Sequence, residues 1–558
     1  MSVKVVLVGF SASGKTTVGR KLAALTGWKL VDVDALVEKS EGRPIKEIIR
    51  VDGEERFRTL ESDALKRAFD SDAGIVATGG GILLRDANRQ QIEKASNVVH
   101  LGVEAEVAAS RLAQDDQAVR PLLSQDDLLS SVVTLMSKRS NLYGGFPLKV
   151  WTDWADADRI AEAVLAELSL TSKLKERTVI PSLAANKSSK IVIGVDAIAS
   201  LGERIKDVAP NATQAAIIVD RQVWQHHAER LTTALASSDL KPLLIELEPG
   251  EATKALSTVE RAAEALLAAD FTRSDLIIAL GGGVVGDAAG LVASLYMRGV
   301  PLIQVPTTIV AQADAAIGGK TAVNLRSESA SGKNILGTFY PADLIISDIS
   351  LLRSLPDRAY REGLAEVIKY GAIHSKDFLL WLEQHVEQII ARDELLLRDI
   401  VEFSSKAKLR FVVGDVEDRT GVRAHLNFGH TLGHAIERLQ GYQGYLHGEA
   451  VAVGMVFALR FGEHLGKTDK GLSVQLGNLL SRIGLPTEIP TELLEGVEAA
   501  KKSGFQQRWE EALKVDKKRK AGLIDFVFVR SAGAATTSPT AVTDIVAFLA
   551  EQTMQEDE

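Results

Sequence analysis

The chain contains no cysteine among its 558 residues. Disulfides and thiolate metal ligation are therefore excluded, and any bound metal has to use His, Asp or Glu. The missing thiols agree with a reducing compartment, so a cytoplasmic location is the expectation. No apolar run approaches the ~18–20 residues that a membrane-spanning helix needs. Met1–Val8 runs straight into an apolar stretch and a glycine loop, so neither a signal peptide nor a transit segment is expected. Proline is scarce, 14 against 45 glycines, a ratio that suits an α/β protein with many tight strand-to-helix turns. Positive charge is not in excess either. The formal net charge is −9 and no basic stripe is present, which argues against a nucleic-acid partner. Local Lys and Arg clusters can still bind phosphate inside an acidic protein.

What is present is two unlike glycine-rich phosphate cradles, about half the chain apart. The first is Gly9-Phe10-Ser11-Ala12-Ser13-Gly14-Lys15-Thr16 and the second Gly281-Gly282-Gly283-Val284-Val285-Gly286-Asp287. A chain of this length is too long for one ordinary core. Apolar runs alternating with amphipathic stretches place a first α/β domain at residues 1–169, with strands at Val3–Val8, Gly74–Ala77 and Val98–Leu101. The polar segment Thr171–Arg177 makes residues 170–178 a linker. A second domain covers 179–558. Its α/β part, 179–350, has strands at Ile191–Gly194, Ala215–Val219, Leu243–Leu247, Leu276–Leu280 and Leu302–Val305, and its part from 351 to 558 is mostly helical, with a short β-like segment at Leu523–Val529. A nucleotide-binding part and a helical part with a cleft between them fit this pattern.

The spacing Gly9-x4-Gly14-Lys15-Thr16 matches the Walker A pattern, with an apolar run before it and a helical pattern after. Backbone N–H groups across Ala12, Ser13, Gly14, Lys15, Thr16 and Thr17 would converge on the phosphates of ATP at a helix N-terminus. Lys15 would neutralise β/γ-phosphate charge, and the Thr16 hydroxyl would reach Mg²⁺. Asp32 and Asp34 alternate in Val31-Asp32-Val33-Asp34, on one face of a strand end. Arg58, Gly79-Gly80-Gly81, Arg120 before Pro121-Leu122-Leu123, and Arg139 four residues before Tyr143 complete the set. Each arginine alone reads as a solvated surface residue. Together with the loop, they make the domain resemble shikimate kinase over essentially its whole length. That resemblance implies a nucleoside-monophosphate-kinase-like P-loop fold, a parallel sheet with helices. It further implies that Arg58 and Arg139 bind the shikimate carboxylate. Asp34 would orient the attacking hydroxyl, Asp32 would help organise Mg²⁺, Gly80 would let the backbone approach the substrate, and Arg120 would act from a mobile lid.

The second loop lacks the G-x-G-x-x-G spacing of the usual dinucleotide fingerprint. Downstream of it stand Thr307 and Thr308, Asp314, Gly318-Gly319-Lys320 and Lys333-Asn334, a density of polar groups after strand ends that suits an anionic ligand. Glu366 and Lys369 fall on one helical face, and Asn427-Phe428-Gly429-His430-Thr431-Leu432-Gly433-His434 is followed by His447-Gly448-Glu449. Glu and His without Cys point to Zn²⁺ with an open position, Co²⁺ being an alternative ion. Spacing alone pairs His430 with His434 as ligands, and a buried or capping role for either stands beside that reading.

From about Val179 onward the chain also resembles 3-dehydroquinate synthase. The matching stretches are Gly250–Lys254, the second glycine loop, Tyr296–Gly299, Pro306–Gln312, Gly318–Asn324, Gly363–Gly371, Leu426–Glu437, His447–Met455 and Asp516-Lys517-Lys518. The resemblance implies a two-part synthase, a Rossmann-like α/β subdomain plus a helical one. It makes Glu366, His430 and His447 the Zn²⁺ ligands and gives His434 a hydrogen-bonding catalytic role. NAD⁺ would be held by Glu251, Lys254, Gly283, Val284, Val285, Gly286, Asp287, Thr307, Thr308, Lys320 and Lys333. Lys320, Lys369 and Lys408 would join His434 in catalysis. Arg298, Asp314, Asn334, Arg423, Asn427 and Lys517 would hold the substrate. The implied chemistry oxidises 3-deoxy-arabino-heptulosonate 7-phosphate, eliminates phosphate, returns the hydride and closes the ring, so NAD⁺ is restored. Two features depart from the family pattern: Leu325–Gly332 is longer than expected, and Val416 stands where an acidic residue is expected.

The expectation is thus a bifunctional enzyme acting on small-molecule substrates, with no nucleic-acid or membrane partner, and dimeric through its synthase part. A different hydroxy-acid kinase fused to another sugar-phosphate cyclase or a zinc polyol dehydrogenase is the alternative.

Overall fold

The computed structural model describes residues 5–95, 97–114, 127–143, 145–169, 177–184, 187–326, 331–413, 415, 421–494, 502–513 and 522–555. They fall into two compact units: Met1–Asn211 with Arg230–Leu240, and Ala212–Glu229 with Lys241–Glu558.

In the first unit the apolar runs become strands β1 (Val5–Val8), β2 (Leu30–Asp32), β3 (Ile75–Ala77), β4 (Val98–Gly102) and β5 (Leu148–Trp151). They lie side by side in the order β2-β3-β1-β4-β5. All four neighbour pairs are parallel. Every residue of the central strand β1 is buried, as expected for a parallel strand covered on both faces. On one face Val6, Val8 and Val76 pack with Val33, Val37, Leu60, Ala64 and Leu65 from the helices Val33–Glu41 and Glu54–Asp70. The Walker loop joins β1 to the helix Lys15–Thr26, which starts at Lys15. Gly14 caps that helix in the left-handed region, at φ 85°, where a side chain would be strained. One local expectation is corrected here. Asp32 is the last residue of β2, but Asp34 lies in the first turn of the next helix, because the chain leaves the strand at Val33. Asp32 caps that helix, its Oδ1 accepting from the Ala35 N–H at 3.1 Å.

The sheet of this unit continues past β5. Strand β6 (Arg177–Ala184) pairs parallel with β5, and β7 (Lys187–Gly194) pairs antiparallel with β6. Arg177 and Thr178, read as linker in the sequence, open β6, whereas residues 170–176 lie outside the described residues. A buried ion cluster accompanies this extension. Glu167, near the end of the helix Ala157–Ser169, is 1 % exposed. Its Oε2 accepts from Arg177 Nε at 2.7 Å and from Arg204 Nη2 at 2.8 Å, and Lys190 stands nearby. Burial alone would raise the Glu167 carboxyl, yet Arg204, Lys190 and Arg177 hold it below the usual carboxylate range.

The second unit holds β8 (Gln214–Asp220), β9 (Lys241–Leu247), β10 (Leu276–Gly281), β11 (Leu302–Pro306), β12 (Lys320–Arg326), β13 (Ser331–Phe339) and β14 (Leu344–Asp348). Five of these form a parallel run ordered β14-β11-β10-β8-β9. Strand order reverses between β8 and β10, and the second glycine loop follows β10 at that switch point, where open α/β sheets bind their ligands. Strands β12 and β13 form a separate antiparallel hairpin. Its residues 327–330 lie outside the described residues, so they carry no account of the longer loop. Beyond 351 the chain is chiefly helical, including Asp357–His374, Glu394–Val412, His430–Leu439 and His447–His464. Leu523–Val529 is strand β15, which pairs with β16 (Ala535–Ala541), a polar strand that the apolar pattern does not reveal. The architecture is the two-part α/β and helical arrangement that the sequence implies. No described helix is long and apolar enough to cross a membrane.

The Glu167 cluster gives a pH-dependent prediction. Its carboxyl is depressed in the fold, so its contribution is complete above the unfolded value of about 4.3 and fades as pH falls below it. Glu167→Gln should therefore flatten the acid limb of the stability profile. Glu167→Ala, which leaves buried Arg204 uncompensated, should cost about 3–5 kcal/mol at neutral pH. Denaturant titration across pH checks both, and an unchanged profile in the two variants would refute the role given to the cluster.

Candidate active sites

In the first unit the phosphate loop is closed on its own lysine. Lys15 Nζ donates to the carbonyls of Gly9 at 2.9 Å and Phe10 at 2.7 Å. A phosphate entering the loop competes with those carbonyls for the ammonium. Ala12 and Ser13 lie in the loop, and Thr16 and Thr17 in the first helical turn. Thr16 Oγ1 donates to Asp32 Oδ2 at 2.5 Å, so the hydroxyl and carboxylate suited to Mg²⁺ meet at the mouth of the loop. Their oxygens are the hard donors that Mg²⁺ prefers, with room required for water and phosphate.

Opposite the loop, Gly79, Gly80 and Gly81 run between charged side chains. A Cβ on Gly79 would stand 2.5 Å from both Asp34 Oδ1 and Glu61 Oε1, and one on Gly81 would meet the Arg58 guanidinium. The Gly80 carbonyl accepts from Arg139 Nη1 at 3.0 Å and from the Tyr143 hydroxyl at 2.9 Å. Arg58 reaches Glu61 at 2.8 Å and Glu54 at 3.0 Å. Arg58 and Arg139 are 8 % and 6 % exposed, and burial together with the neighbouring Arg58 charge holds Arg139 below its ordinary value. Two sequestered guanidiniums around a glycine backbone favour a carboxylate guest. Asp34, Arg58, Gly80 and Arg139 are thus gathered in one place. Arg120 lies outside the described residues.

Sequence reasoning gives Glu61 a structural role only, and Tyr143 and Arg111 no role in the site. Burial raises the Glu61 carboxyl against the pull of Arg58. Arg111 braces the loop by donating to the Ala12 carbonyl at 3.2 Å and the Thr152 carbonyl at 2.7 Å. The only sequence signal was the three-residue spacing from Arg58 to Glu61 on one helix.

In the second unit the helix Gly283–Leu295 begins immediately after β10, so Gly283, Val284, Val285, Gly286 and Asp287 occupy its first two turns. Side chains are kept short there for close approach: a Cβ on Gly282 would touch Thr308 at 3.0 Å and one on Gly286 would stand 3.2 Å from Gln304 Oε1. The Thr307 N–H donates to the Gly281 carbonyl at 3.0 Å, fixing the Thr307–Thr308 turn beside the loop. Lys254 Nζ donates to Asp287 Oδ2 at 2.5 Å, and Asn324 Nδ2 to Glu251 Oε1 at 2.8 Å. Asn324 also receives the Asn334 backbone N–H at 2.9 Å. These contacts join Glu251, Lys254, Asp287 and Asn334 into one polar rim. Lys320 and Arg298 are exposed, the latter at φ 65°.

The helical part brings Glu366, His430 and His447 together, with one ligand atom from each within 4.8 Å of the others. Glu366 Oε1 lies 3.2 Å from His430 Nε2 and 3.5 Å from His447 Nε2. The second nitrogen of each ring is already engaged: His430 Nδ1 with the Phe428 carbonyl at 3.1 Å and His447 Nδ1 with Glu437 Oε2 at 3.4 Å. Two Nε2 atoms and a carboxylate oxygen therefore converge with their outer partners in place, a donor set that fits Zn²⁺ with an open position. Burial would raise the Glu366 carboxyl, but the Lys369 ammonium in contact with it and the two imidazoles hold it well below the usual range. His434 keeps an exposed edge, but the crowding of the site desolvates its ring and, with His430 and His447, pushes it down to about 3. His434 also forms a second cluster with Glu437 and His447. Spacing by itself pairs His430 with His434, yet Glu366 and His447, from two other helices, are the side chains that share a centre with His430.

Beside this centre Asp314 sits on a single π-helical turn, Ala311–Ala315, a local irregularity frequent at functional sites. Its Oδ1 accepts from the Tyr370 hydroxyl at 2.5 Å and pairs with Lys408 Nζ at 2.9 Å. Burial lowers the Lys408 ammonium against the pull of Asp314. Arg423 is buried and contributes to the field at Lys408, and Asn427 precedes His430 by three residues. Lys517 lies outside the described residues.

Glycine contacts set the position of the metal-side helices. Gly448 donates its N–H to Glu362 Oε2 at 2.8 Å, and a Cβ there would fall 1.9 Å from the Glu362 carbonyl oxygen. A Cβ on Gly454 would come as close to the Gly429 carbonyl oxygen, also 1.9 Å. Only glycine lets the helix starting at His447 approach those bearing Glu366 and His430 so closely.

Comparison with known proteins follows the same division. The family model for shikimate kinase matches residues 11–169. Those for the 3-dehydroquinate synthase N-terminal and C-terminal regions match residues 244–362 and 363–519. The chain is 38 % identical over 357 residues to a 3-dehydroquinate synthase of Symbiobacterium thermophilum, covering 64 % of this chain and 95 % of that protein. Among solved structures, 2-deoxy-scyllo-inosose synthase complexed with carbaglucose-6-phosphate, NAD⁺ and Co²⁺ is similar at 26 % identity, with a TM-score of 0.58 over 67 % of this chain and 99 % of that one. The 2-epi-5-epi-valiolone synthase of Streptomyces hygroscopicus subsp. jinggangensis, with NAD⁺ and Zn²⁺ bound, is similar at 25 % identity and a TM-score of 0.57, covering 66 % and 98 %.

The packing at Gly448 can be tested directly. Gly448→Ala should overpack the helix contact by about 1–3 kcal/mol and move His447 away from Glu366. Lower thermal stability together with weakened Zn²⁺ uptake is the expected result. Wild-type Zn²⁺ uptake would show that this close approach does not position the ligand.

Proposed function

The chain belongs to the 3-dehydroquinate synthase family and carries a shikimate kinase domain over residues 11–169, and from that premise we propose how its residues divide two reactions of the shikimate pathway. The first unit phosphorylates shikimate with ATP. The second converts 3-deoxy-arabino-heptulosonate 7-phosphate to 3-dehydroquinate and phosphate.

In the kinase the carrying observation is the buried pair Arg58 and Arg139 facing the Gly79–Gly81 backbone across from the Walker loop. The pair binds the shikimate carboxylate. Asp34, in the first turn after β2, orients the hydroxyl to be phosphorylated, and Lys15 leaves its loop carbonyls for the transferring phosphate. Thr16 and Asp32 would hold Mg²⁺. This arrangement supplies positioning and charge neutralisation, the main requirements of phosphoryl transfer.

In the synthase the carrying observation is the convergence of Glu366, His430 and His447 beside Lys369, Lys408 and Asp314. When bound, NAD⁺ would supply reversible hydride transfer and Zn²⁺ would polarise substrate oxygens. Glu251, Lys254, Asp287, Thr307 and Thr308 would hold the dinucleotide at the C-terminal ends of the strands, with its pyrophosphate at the N-terminus of the Gly283–Leu295 helix. Lys369 and Lys408 carry the positive charge that receives an anionic substrate, and Arg423 and Asn427 extend that surface. His434, neutral at working pH, exchanges a hydrogen bond with a substrate hydroxyl. Lys320, Lys333, Arg298 and Asn334 complete the substrate and cofactor contacts. We further assign the protein to the cytoplasm, on its cysteine-free sequence, and to a homodimer through the second unit.

Two measurements test this reading. Arg58→Ala and Arg139→Ala should each weaken shikimate binding at least about tenfold, the loss expected for one charge-assisted hydrogen bond, while ATP binding is kept. Purified chain with Zn²⁺ and NAD⁺ should release phosphate from the heptulosonate phosphate with no net NADH. Accumulating NADH would instead mark a polyol dehydrogenase.

A further inference from the structure

Glu437 carries no assigned role in either reaction, yet it is 4 % exposed and stands at the centre of the metal-side interactions. It lies on the His430–Leu439 helix, two turns after His430. Its two oxygens are used differently. Oε2 faces His447 Nδ1 at 3.4 Å, and Oε1 accepts from Lys333 Nζ at 3.0 Å. Lys333 is itself seated over the Tyr442 ring, 4.2 Å from its centroid.

The His447 ring is thereby shared between two carboxylates, Glu366 at Nε2 and Glu437 at Nδ1. Only Nε2 points to the oxygen that His430 also approaches, so Nε2 is the metal-side nitrogen. Nδ1 then carries the proton and donates it to Glu437. A carboxylate on the far nitrogen of a ligating histidine fixes its tautomer and orientation and increases its basicity. The partner of His430 at the same position is only a neutral carbonyl, that of Phe428. The two histidines are therefore unequal, and His447 is the one whose binding strength the protein sets by charge.

We propose that Glu437 is a positioning residue that holds His447 in its metal-binding tautomer, with Lys333 holding Glu437 in turn. The proposal rests on the metal-dependent reading of the second unit. It joins the β12–β13 hairpin, through Lys333, to a metal ligand that is more than a hundred residues away in sequence.

The test uses the full-length chain stripped of metal. Zn²⁺ affinity is read by competition with a chromophoric chelator, the ligand field by Co²⁺ absorption, and the cofactor site by NAD⁺ binding. Glu437→Gln keeps an acceptor for Nδ1–H but removes the charge, and Glu437→Ala removes both. Zn²⁺ affinity should fall about 10-fold in the first and about 100-fold in the second. The Co²⁺ spectrum should change in both, and NAD⁺ binding should persist. Excess Zn²⁺ should restore kcat in Glu437→Gln with KM near wild type. Lys333→Met should lower Zn²⁺ affinity by less than Glu437→Gln. Unchanged Zn²⁺ affinity and Co²⁺ spectrum in Glu437→Ala would overturn the proposal. So would loss of NAD⁺ binding or a kcat that added Zn²⁺ fails to restore, because either marks a general structural role. If wild type itself took up no Zn²⁺, the metal-dependent reading would fail instead.

Discussion

Glu366 lies in the interior of its unit with two imidazole nitrogens near one carboxylate oxygen and an ammonium group against the other. An uncompensated carboxylate at that depth would cost about 3–5 kcal/mol, a large share of a folded protein's net stability, so the groups around it have to be held in place. Much of the second unit is arranged for that purpose. Gly448 and Gly454 let three helices close to backbone contact. Glu437 and the Phe428 carbonyl hold the outer nitrogens of the two rings. Asp314, on its π-helical turn, balances Lys408 in the same neighbourhood. The geometry that satisfies the buried charge is also the geometry that offers a divalent cation its donors. Structural necessity and chemistry coincide at this point.

The two phosphate cradles rest on the same physics and differ in use. Each follows a buried parallel strand and opens a helix, so each presents unpaired backbone N–H groups and a positive helix end to an anion. In the first unit the loop closes on Lys15 and the adjacent Thr16–Asp32 pair, which suits a metal-bound nucleotide that is consumed. In the second the helix starts directly after Gly282, and Lys254 pairs with Asp287 at its side. That cradle suits a dinucleotide that is reduced and restored. The chain therefore carries one physical device in two settings, set apart by the residues that border it.

The sequence made the buried strands legible because parallel strands covered on both faces read as continuous apolar runs, as Val5–Val8 and Leu276–Leu280 do. The Walker loop was equally plain, since its spacing is dictated by phosphate geometry. Short or polar strands were not: β5 holds four residues with a lysine among them, and β16 alternates threonine, serine and proline. Asp34 was placed on a strand because alternation over four residues cannot separate a strand end from a first helical turn. Glu61, Tyr370 and Glu437 lie in helical runs whose pattern does not mark them as buried, and only the fold shows that they are buried against Arg58, Asp314 and His447. For the metal-side set, local spacing favoured His430 with His434. Three helices supply Glu366, His430 and His447, the first of them more than sixty residues before the other two, and no local periodicity encodes that meeting. Family resemblance supplied it, and the convergence of their ligand atoms supports it.

In the function proposed above, one polypeptide holds two separate catalytic sites, one built on Lys15 and one on His430. The most direct measurement is a pair of assays, shikimate phosphorylation and phosphate release from the heptulosonate phosphate, on wild type, Lys15→Ala and His430→Ala. Lys15→Ala should lose the first activity and keep the second, and His430→Ala should do the reverse. Loss of both activities in either well-folded variant, or retention of both, would contradict it.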